Sequence, residues 1–184
     1  MKLLWLDLET TGLDETADRI IEVGCVLTDA KMDIEYSALQ SGVRPSLAAY
    51  ERLWRNDVVR EMHIKNGLLG ELFTAPGAFE VEARLLTWLE KHLGREDVML
   101  AGSGVAAFDR RFLKAQWPDL ESRLVYSMLD VGVLRRACRM WTGASLTSVN
   151  DDKTHRAMDD VRCHLEEARS YRDFFQRHAG LKTL

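Results

Sequence analysis

Residues 3–9 read LLWLDLE, and the fold is decided there. A run apolar at nearly every position is the pattern of a strand buried on both faces, because a strand with one wet face alternates. Such a strand belongs in the middle of a sheet with helices on either side. Asp7 and Glu9 break the run near its end, and Thr10-Thr11-Gly12 closes it as a turn. Residues two apart on a strand point to the same face, so the two carboxylates stand side by side. Burying them without a counter-charge is expensive. One or two divalent cations would resolve the conflict. A solvated strand end would equally well carry the same pair, and Asp-x-Glu alone does not separate the two readings.

Outward from this strand, residues 20–28 (IIEVGCVLT) and about 32–43 read as second and third strands, with Asp29-Ala30-Lys31 as a short turn of an antiparallel meander. Helical spacing follows over 46–74, at Leu47, Leu53, Trp54, Val58, Met62, Leu68 and Leu72, and Gly67 divides two short helices. Pro76-Gly77 breaks the chain. Phe79, Ala83, Leu86 and Leu89 or Glu90 then mark a helix ending near Gly94. A buried strand at 97–101, a helix at 106–116 stopped by Trp117-Pro118, a strand from Val125 to Val131 and a basic helix to about Met140 come next. Residues 142–154 read as loop. The last helix runs from about Arg156 to Gln176 with a buried stripe of Val161, Leu165, Ala168, Tyr171 and Phe175. Three strands followed by alternating helices and strands make an α/β domain, a central mixed five-stranded sheet flanked by helices.

Composition narrows the class. The chain has 184 residues, 46% hydrophobic and 29% charged, the balance of one globular domain with its own core. The Asp7 break comes too early for a signal peptide, and no apolar run is long enough to span a membrane. Cys25, Cys138 and Cys163 are odd in number and widely spaced. They read as buried or inert thiols in a reducing cytoplasm, not as a disulfide framework or a zinc site. A net charge of −4 disfavours tight non-specific binding to long nucleic acid, but not an enzyme that grips a few nucleotides through a metal.

Two further segments supply chemistry. Phe108-Asp109 opens a helix after a small-residue turn, where a carboxylate is in any case favoured by the helix dipole. His155-Arg-Ala-Met-Asp-Asp160 lies at the mouth of the last helix. Asp160 adjoins Val161 of the buried stripe and so borders the sheet side, whereas Asp159 fits a solvent-facing role. Asp7, Glu9, Asp109 and Asp160, with His155, form a hard, oxygen-rich set suited to Mg²⁺ or Mn²⁺. Zinc fits poorly, because cysteine and paired histidine ligands are missing.

LDLETTG, FDRRFL and HRAMDD resemble, in type, order and spacing, the three motifs of the DEDDh 3′→5′ exonucleases, whose fold is ribonuclease H-like. Met62–Leu68 (MHIKNGL), DRRFL at Asp109–Leu113, Tyr126 ahead of Asp130-Val131, and the ending HRAMDDVR…YRDFF resemble the oligoribonuclease branch. The resemblance implies a single exonuclease domain over residues 1–180 with a tail at 181–184. It implies a homodimer, and the absence of a signal peptide or spanning run reads as a cytoplasmic protein without a membrane partner. It further implies two divalent metal ions, Mg²⁺ or Mn²⁺, held by Asp7, Glu9, Asp109 and Asp160, with His155 as general base for the attacking water. Histidine suits that role because its ordinary pKa lies near working pH. The substrate would be short single-stranded RNA, and the product a nucleoside 5′-monophosphate. Thr10, Gly12 and Leu13 would contact the terminal nucleotides, Leu13 as a wedge between bases, although a core leucine has the same sequence signature. Tyr126 would reach the partner's site, although an aromatic packed at a strand start reads the same. Trp54 reads as a core tryptophan more readily than as a base-stacking one.

The chain departs from the oligoribonuclease pattern at Ser127 and Gly132, where arginine and serine usually cap the 5′ phosphate, and at Ser103-Gly104-Val105, where Gly-Asn-Ser is usual. Arg135, Arg136 or Arg139 could replace the lost charge, or form a solvated face. These changes bear on substrate length, and leave two other readings: a DEDDh enzyme acting on single-stranded DNA or in proofreading, and a non-catalytic nucleic-acid-binding domain. The second would lack at least one catalytic position, and all five are present.

Overall fold

The LLWLDLE segment forms β1 (Lys2–Thr10), the middle strand of a five-stranded sheet. The computed structural model describes residues 1–146 and 154–178. β2 (Ile20–Asp29) pairs antiparallel with β1, and β3 (Glu35–Gly42) antiparallel with β2. On the other side β4 (Val98–Gly102) and β5 (Leu124–Asp130) run parallel to β1, giving the order β3-β2-β1-β4-β5. The mixed five-stranded sheet flanked by helices is the one the sequence predicts.

β1 is buried from both sides by alternation. Leu4, Leu6 and Leu8 pack with Val81, Leu85 and Leu89 of α4 (Ala78–Leu93), Phe112 of α5 (Asp109–Gln116) and Leu120 of α6 (Pro118–Glu121). Leu3 and Trp5 pack on the opposite face with Val131 of α7 (Val131–Thr142) and with Val161, Leu165 and Tyr171 of α8 (Ala157–His178). Each such side chain contributes roughly 1.5–3 kcal/mol, so β1 is anchored on two layers at once. The same alternation puts Asp7 and Glu9 on the α8 face, in line with Leu3 and Trp5.

A smaller cluster of Ile21, Leu53, Leu68, Leu69 and Leu72 docks α1 (Leu47–Arg55), α2 (Asp57–Lys65) and α3 (Leu68–Glu71) beside β2. The helical spacing expected over 46–74 is broken here. Asn56 ends α1 and caps α2, its side chain accepting from Val59 N–H at 3.3 Å, so the helical phase restarts there. Leu47 and Val58 consequently face solvent, and the buried residue of α2 is His63. Trp54 is not in the core either: it is 50% exposed, stacked on Tyr50, with the Arg60 guanidinium over its ring. The stripe of α4 is Val81-Leu85-Leu89-Leu93, which leaves Phe79 in solvent.

Trp117-Pro118 ends α5, but Pro118 also begins α6, since its fixed φ and missing N–H suit a first helical position. At the far end of α8, Phe175 is half exposed and lies against the rings of Tyr171 and Phe174 instead of the sheet. Of the cysteines only Cys25 is buried, and Cys163 is exposed. Among the described residues no helix is long and apolar enough to cross a membrane. The expected loop lies mostly outside the described residues, as does the expected tail at 181–184.

Candidate active site

Three elements converge on the end of β1. Glu9 comes from the strand, Asp160 from the first turn of α8, and His155 from the segment leading into it. Each offers a ligand atom within 4.8 Å of the others. Asp109, first residue of α5, reaches the same strand end, where its Oδ1 accepts from the Leu8 N–H at 3.0 Å. Asp7, one pleat back from Glu9, lies 3.9 Å from Nδ1 of His164, one turn beyond Asp160 on α8. All five residues singled out in the sequence therefore gather at this end of β1. Glu9, His155 and Asp160 form the inner group, with Asp7 and Asp109 flanking the strand.

Close packing makes this possible. α8 begins directly over β2 at Gly24, where an added Cβ would stand 2.6 Å from the Met158 nitrogen and 2.7 Å from the Ala157 carbonyl carbon. Gly24 is the ladder partner of Asp7, so the missing side chain lets the start of α8 come down beside the carboxylates. Asp160 is buried, whereas Asp159 is exposed and accepts from the Thr154 hydroxyl at 2.8 Å. The two adjacent aspartates thus divide between inner and solvent faces as expected.

The electrostatics show crowded, buried carboxylates, a group that could hold a cation. Burial pushes Glu9 up to about 8, with the charges of Asp160, Glu22 and Asp109 adding to the effect and Arg156 opposing it. Burial also raises Asp109 to about 7, against the hydrogen bond from Leu8. Carboxylates crowded in this way hold protons unless a cation replaces them. The donors are oxygens from carboxylates with one imidazole nearby, the hard set that Mg²⁺ and Mn²⁺ take.

The turn after β1 is organised by Asp18. Its carboxylate accepts from the Thr11 hydroxyl at 3.1 Å, from the Asp14 N–H at 3.0 Å and from Arg52 Nε at 3.0 Å. A Cβ at Gly12 would overlap that carboxylate. Thr10 is buried and its hydroxyl donates to the Gly12 carbonyl at 2.6 Å. The turn thrusts Leu13 outward, 78% exposed, which rules out the core reading for this residue. Beside it an open cleft of about 740 Å³ runs from Thr11 and Leu13 to Arg52, Arg55 and Val58. Tyr126 is 92% exposed on β5, so packing does not explain it. Arg135 is committed to Glu167, with Nε at 2.7 Å, while Arg136 and Arg139 remain on the surface.

Some neighbours of the site were not selected from the sequence. His63 is fully buried, its Nε2 3.7 Å from Glu9, and burial pulls it down to about 4, so the pair is not an ion pair near neutrality. Glu22 stands opposite Glu9 across the β1–β2 ladder. His63 lay within the Met62–Leu68 motif, and a period-2 reading of IIEVG marks Glu22 as a polar residue inside a buried strand. Neither signal alone points to the site.

The profile of the exonuclease family matches residues 4–168. The chain belongs to that exonuclease family. Curated relatives place it in the oligoribonuclease branch. It is 34% identical over 180 residues to the oligoribonuclease of Halorhodospira halophila, covering 95% of this chain and 94% of that protein. It is 33% identical to the oligoribonuclease of Streptomyces coelicolor, covering 94% and 86%, and to that of Haemophilus influenzae, covering 95% of each. Among solved structures, the zinc-bound E. coli exonuclease I complex with single-stranded DNA superposes with a TM-score of 0.70 at 15% identity. Exonuclease I from Methylocaldum szegediense does so with 0.67 at 18%. These likenesses bear on fold alone, and the exonuclease chain spans about two fifths of those structures, 41% and 40%.

Proposed function

We propose that this exonuclease removes nucleotides from the 3′ end of short single-stranded RNA and releases nucleoside 5′-monophosphates. The observation that carries this reading is the convergence of Glu9, His155 and Asp160 within 4.8 Å, beside Asp7 and Asp109, in a chain whose relatives over nearly its whole length are oligoribonucleases. Residues 1–180 act as one domain.

In this reading Asp7, Glu9, Asp109 and Asp160 hold two divalent ions, Mg²⁺ or Mn²⁺. Ions held there would supply Lewis-acid stabilisation of the charge that develops as the phosphodiester is hydrolysed. His155 takes the proton from the attacking water, a role its closeness to Glu9 and Asp160 supports. Thr10 and Gly12 shape the turn against which the terminal nucleotide rests, and Leu13 wedges against its base. The exposure of Leu13 beside the cleft favours this assignment.

The protein works as a homodimer in which Tyr126 reaches the partner's site; its exposure, and that of Val133, Met140 and Trp141 on the neighbouring α7, supports a second copy over this face. The cytoplasmic assignment rests on the sequence: Cys25, Cys138 and Cys163 are odd in number and widely spaced, a usage that suits a reducing compartment.

The test uses 5′-labelled RNAs of two, five and twenty nucleotides, and single-stranded DNAs of the same lengths, with Mn²⁺ or EDTA. The expected result is metal-dependent loss of single 3′ nucleotides, fastest on the shortest RNA. Equal trimming of all three lengths would remove the short-substrate specialisation, and cleavage of DNA alone would replace the substrate class. In the same assay Asp7→Ala should lower turnover by roughly 10²–10³-fold or more; near-wild-type activity would overturn the metal-site assignment.

A further inference from the structure

His155 has φ +51°, in the left-handed region that residues with a β-carbon seldom occupy. Such a conformation persists where its surroundings over-determine it, and it often marks a functional constraint. The surroundings here are specific. Asn66, the C-cap of α2, donates from Nδ2 to the His155 carbonyl at 2.5 Å, while its Oδ1 accepts from the Leu68 N–H at 3.0 Å. One residue on, Arg156 donates to Glu22 through Nε at 3.0 Å and Nη2 at 2.8 Å, and to Glu71 through Nη1 at 3.0 Å. Glu22 also accepts from the Ala157 N–H at 3.0 Å and from Gln40 at 2.8 Å. His155 is therefore tied on one side to the α2–α3 turn and on the other to β2.

Glu22 is 1% exposed and faces Glu9 across the ladder, yet both its oxygens are taken up by Arg156, Ala157 and Gln40. It sits at a metal site in position and at a clamp in bonding. Asn66 comes from a different element and meets the same three-residue segment. Two unrelated parts of the fold thus fix one short stretch of backbone, and the histidine lies between them.

We propose that Glu22 and Asn66 are positioning residues that hold His155 in its left-handed conformation and so aim its imidazole at Glu9 and Asp160. The proposal rests on His155 serving as the base in the hydrolysis described above. Their role is exerted through His155, so it disappears when the imidazole is removed.

Kinetics on a labelled RNA dinucleotide with Mn²⁺ test this, using Glu22→Gln, Asn66→Ala, His155→Ala and each of the first two combined with His155→Ala, with a thermal melt of every variant. Positioning requires kcat to fall by roughly tenfold to a hundredfold in Glu22→Gln and in Asn66→Ala, the scale of a misplaced catalytic group, with KM nearly unchanged. In the His155→Ala background the same substitutions should change the residual rate by less than about twofold. Equal losses in both backgrounds, or unchanged kcat in the single variants, would overturn the proposal. If the melt shows Glu22→Gln unfolded, Asn66→Ala decides the question, since Asn66 lies outside the sheet and is only partly buried. An inert wild-type protein, or a His155→Ala variant as fast as wild type, would overturn the functional reading and the proposal with it. Those two rates tell that failure from a failure of positioning alone.

Discussion

At the residue scale, Glu9 brings burial and charge into conflict, and the conflict has a measurable sign. Burial raises its carboxyl from 4.5 to about 8, so the folded state holds the proton more tightly than the unfolded chain. Its contribution to stability is therefore fully present below about 4.5 and lost as pH rises through about 8. A divalent cation bound at the proposed site would replace that proton, so its binding should strengthen with rising pH over the same window. The increase in Tm on adding Mn²⁺ should be larger at pH 8.5 than at pH 6, and Glu9→Gln should flatten the difference. Equal increases at both pH values in the wild type would sink this account. A second residue-scale feature is the pair Ser103 and Gly132. A Cβ at Gly132 would meet Ser103 Oγ at 2.9 Å and Asp130 Oδ1 at 3.1 Å, so the two departures from the oligoribonuclease pattern are sterically linked. Arg135 does not supply a free replacement charge, because it is bound to Glu167.

At the scale of elements, the decisive contact is α8 on β2. Gly24 lets the first turn of α8 lie against the sheet, and that turn carries Asp160 and follows His155. Gly24→Ala forces the new Cβ against the backbone of α8, which a side-chain rotation cannot relieve. We expect a loss of stability of about 1–3 kcal/mol, read from the urea midpoint, and a fall in kcat larger than that loss explains under conditions where the variant is folded. Wild-type kcat in folded Gly24→Ala would show that the height of α8 above the sheet does not set the site. The element scale also explains where periodicity misled. Asn56 restarts the helix between α1 and α2, so a stripe extended through residues 46–74 loses phase. The buried face of α2 then presents His63 to Glu9.

For the whole molecule, β5 lies at an edge of the sheet, and beside it α7 exposes Val133, Met140 and Trp141. In the proposed dimer these exposed apolar side chains and the sheet edge would be covered by the second copy. Sedimentation equilibrium should give a dimer, Trp141→Glu should shift it toward monomer, and Tyr126→Ala should lower activity while the dimer persists. A wild-type monomer with full activity at micromolar concentration would remove both the dimer and the role of Tyr126 in the partner's site.

What the sequence determined by itself is what depends on short-range period. Two-residue alternation in LLWLDLE makes β1 central and puts Asp7 and Glu9 on one face. The 3.6-residue repeat of α8 turns Asp160 inward and Asp159 outward. Only the tertiary structure decided which other groups meet them. Glu22 reaches Ala157 across 135 residues and Asn66 reaches His155 across 89, and no local pattern encodes such partners. The exposure of Leu13 and Tyr126 was likewise settled in three dimensions. An apolar side chain carries the same hydrophobicity whether it fills a core or waits at a binding surface, and only the packing around it tells the two apart.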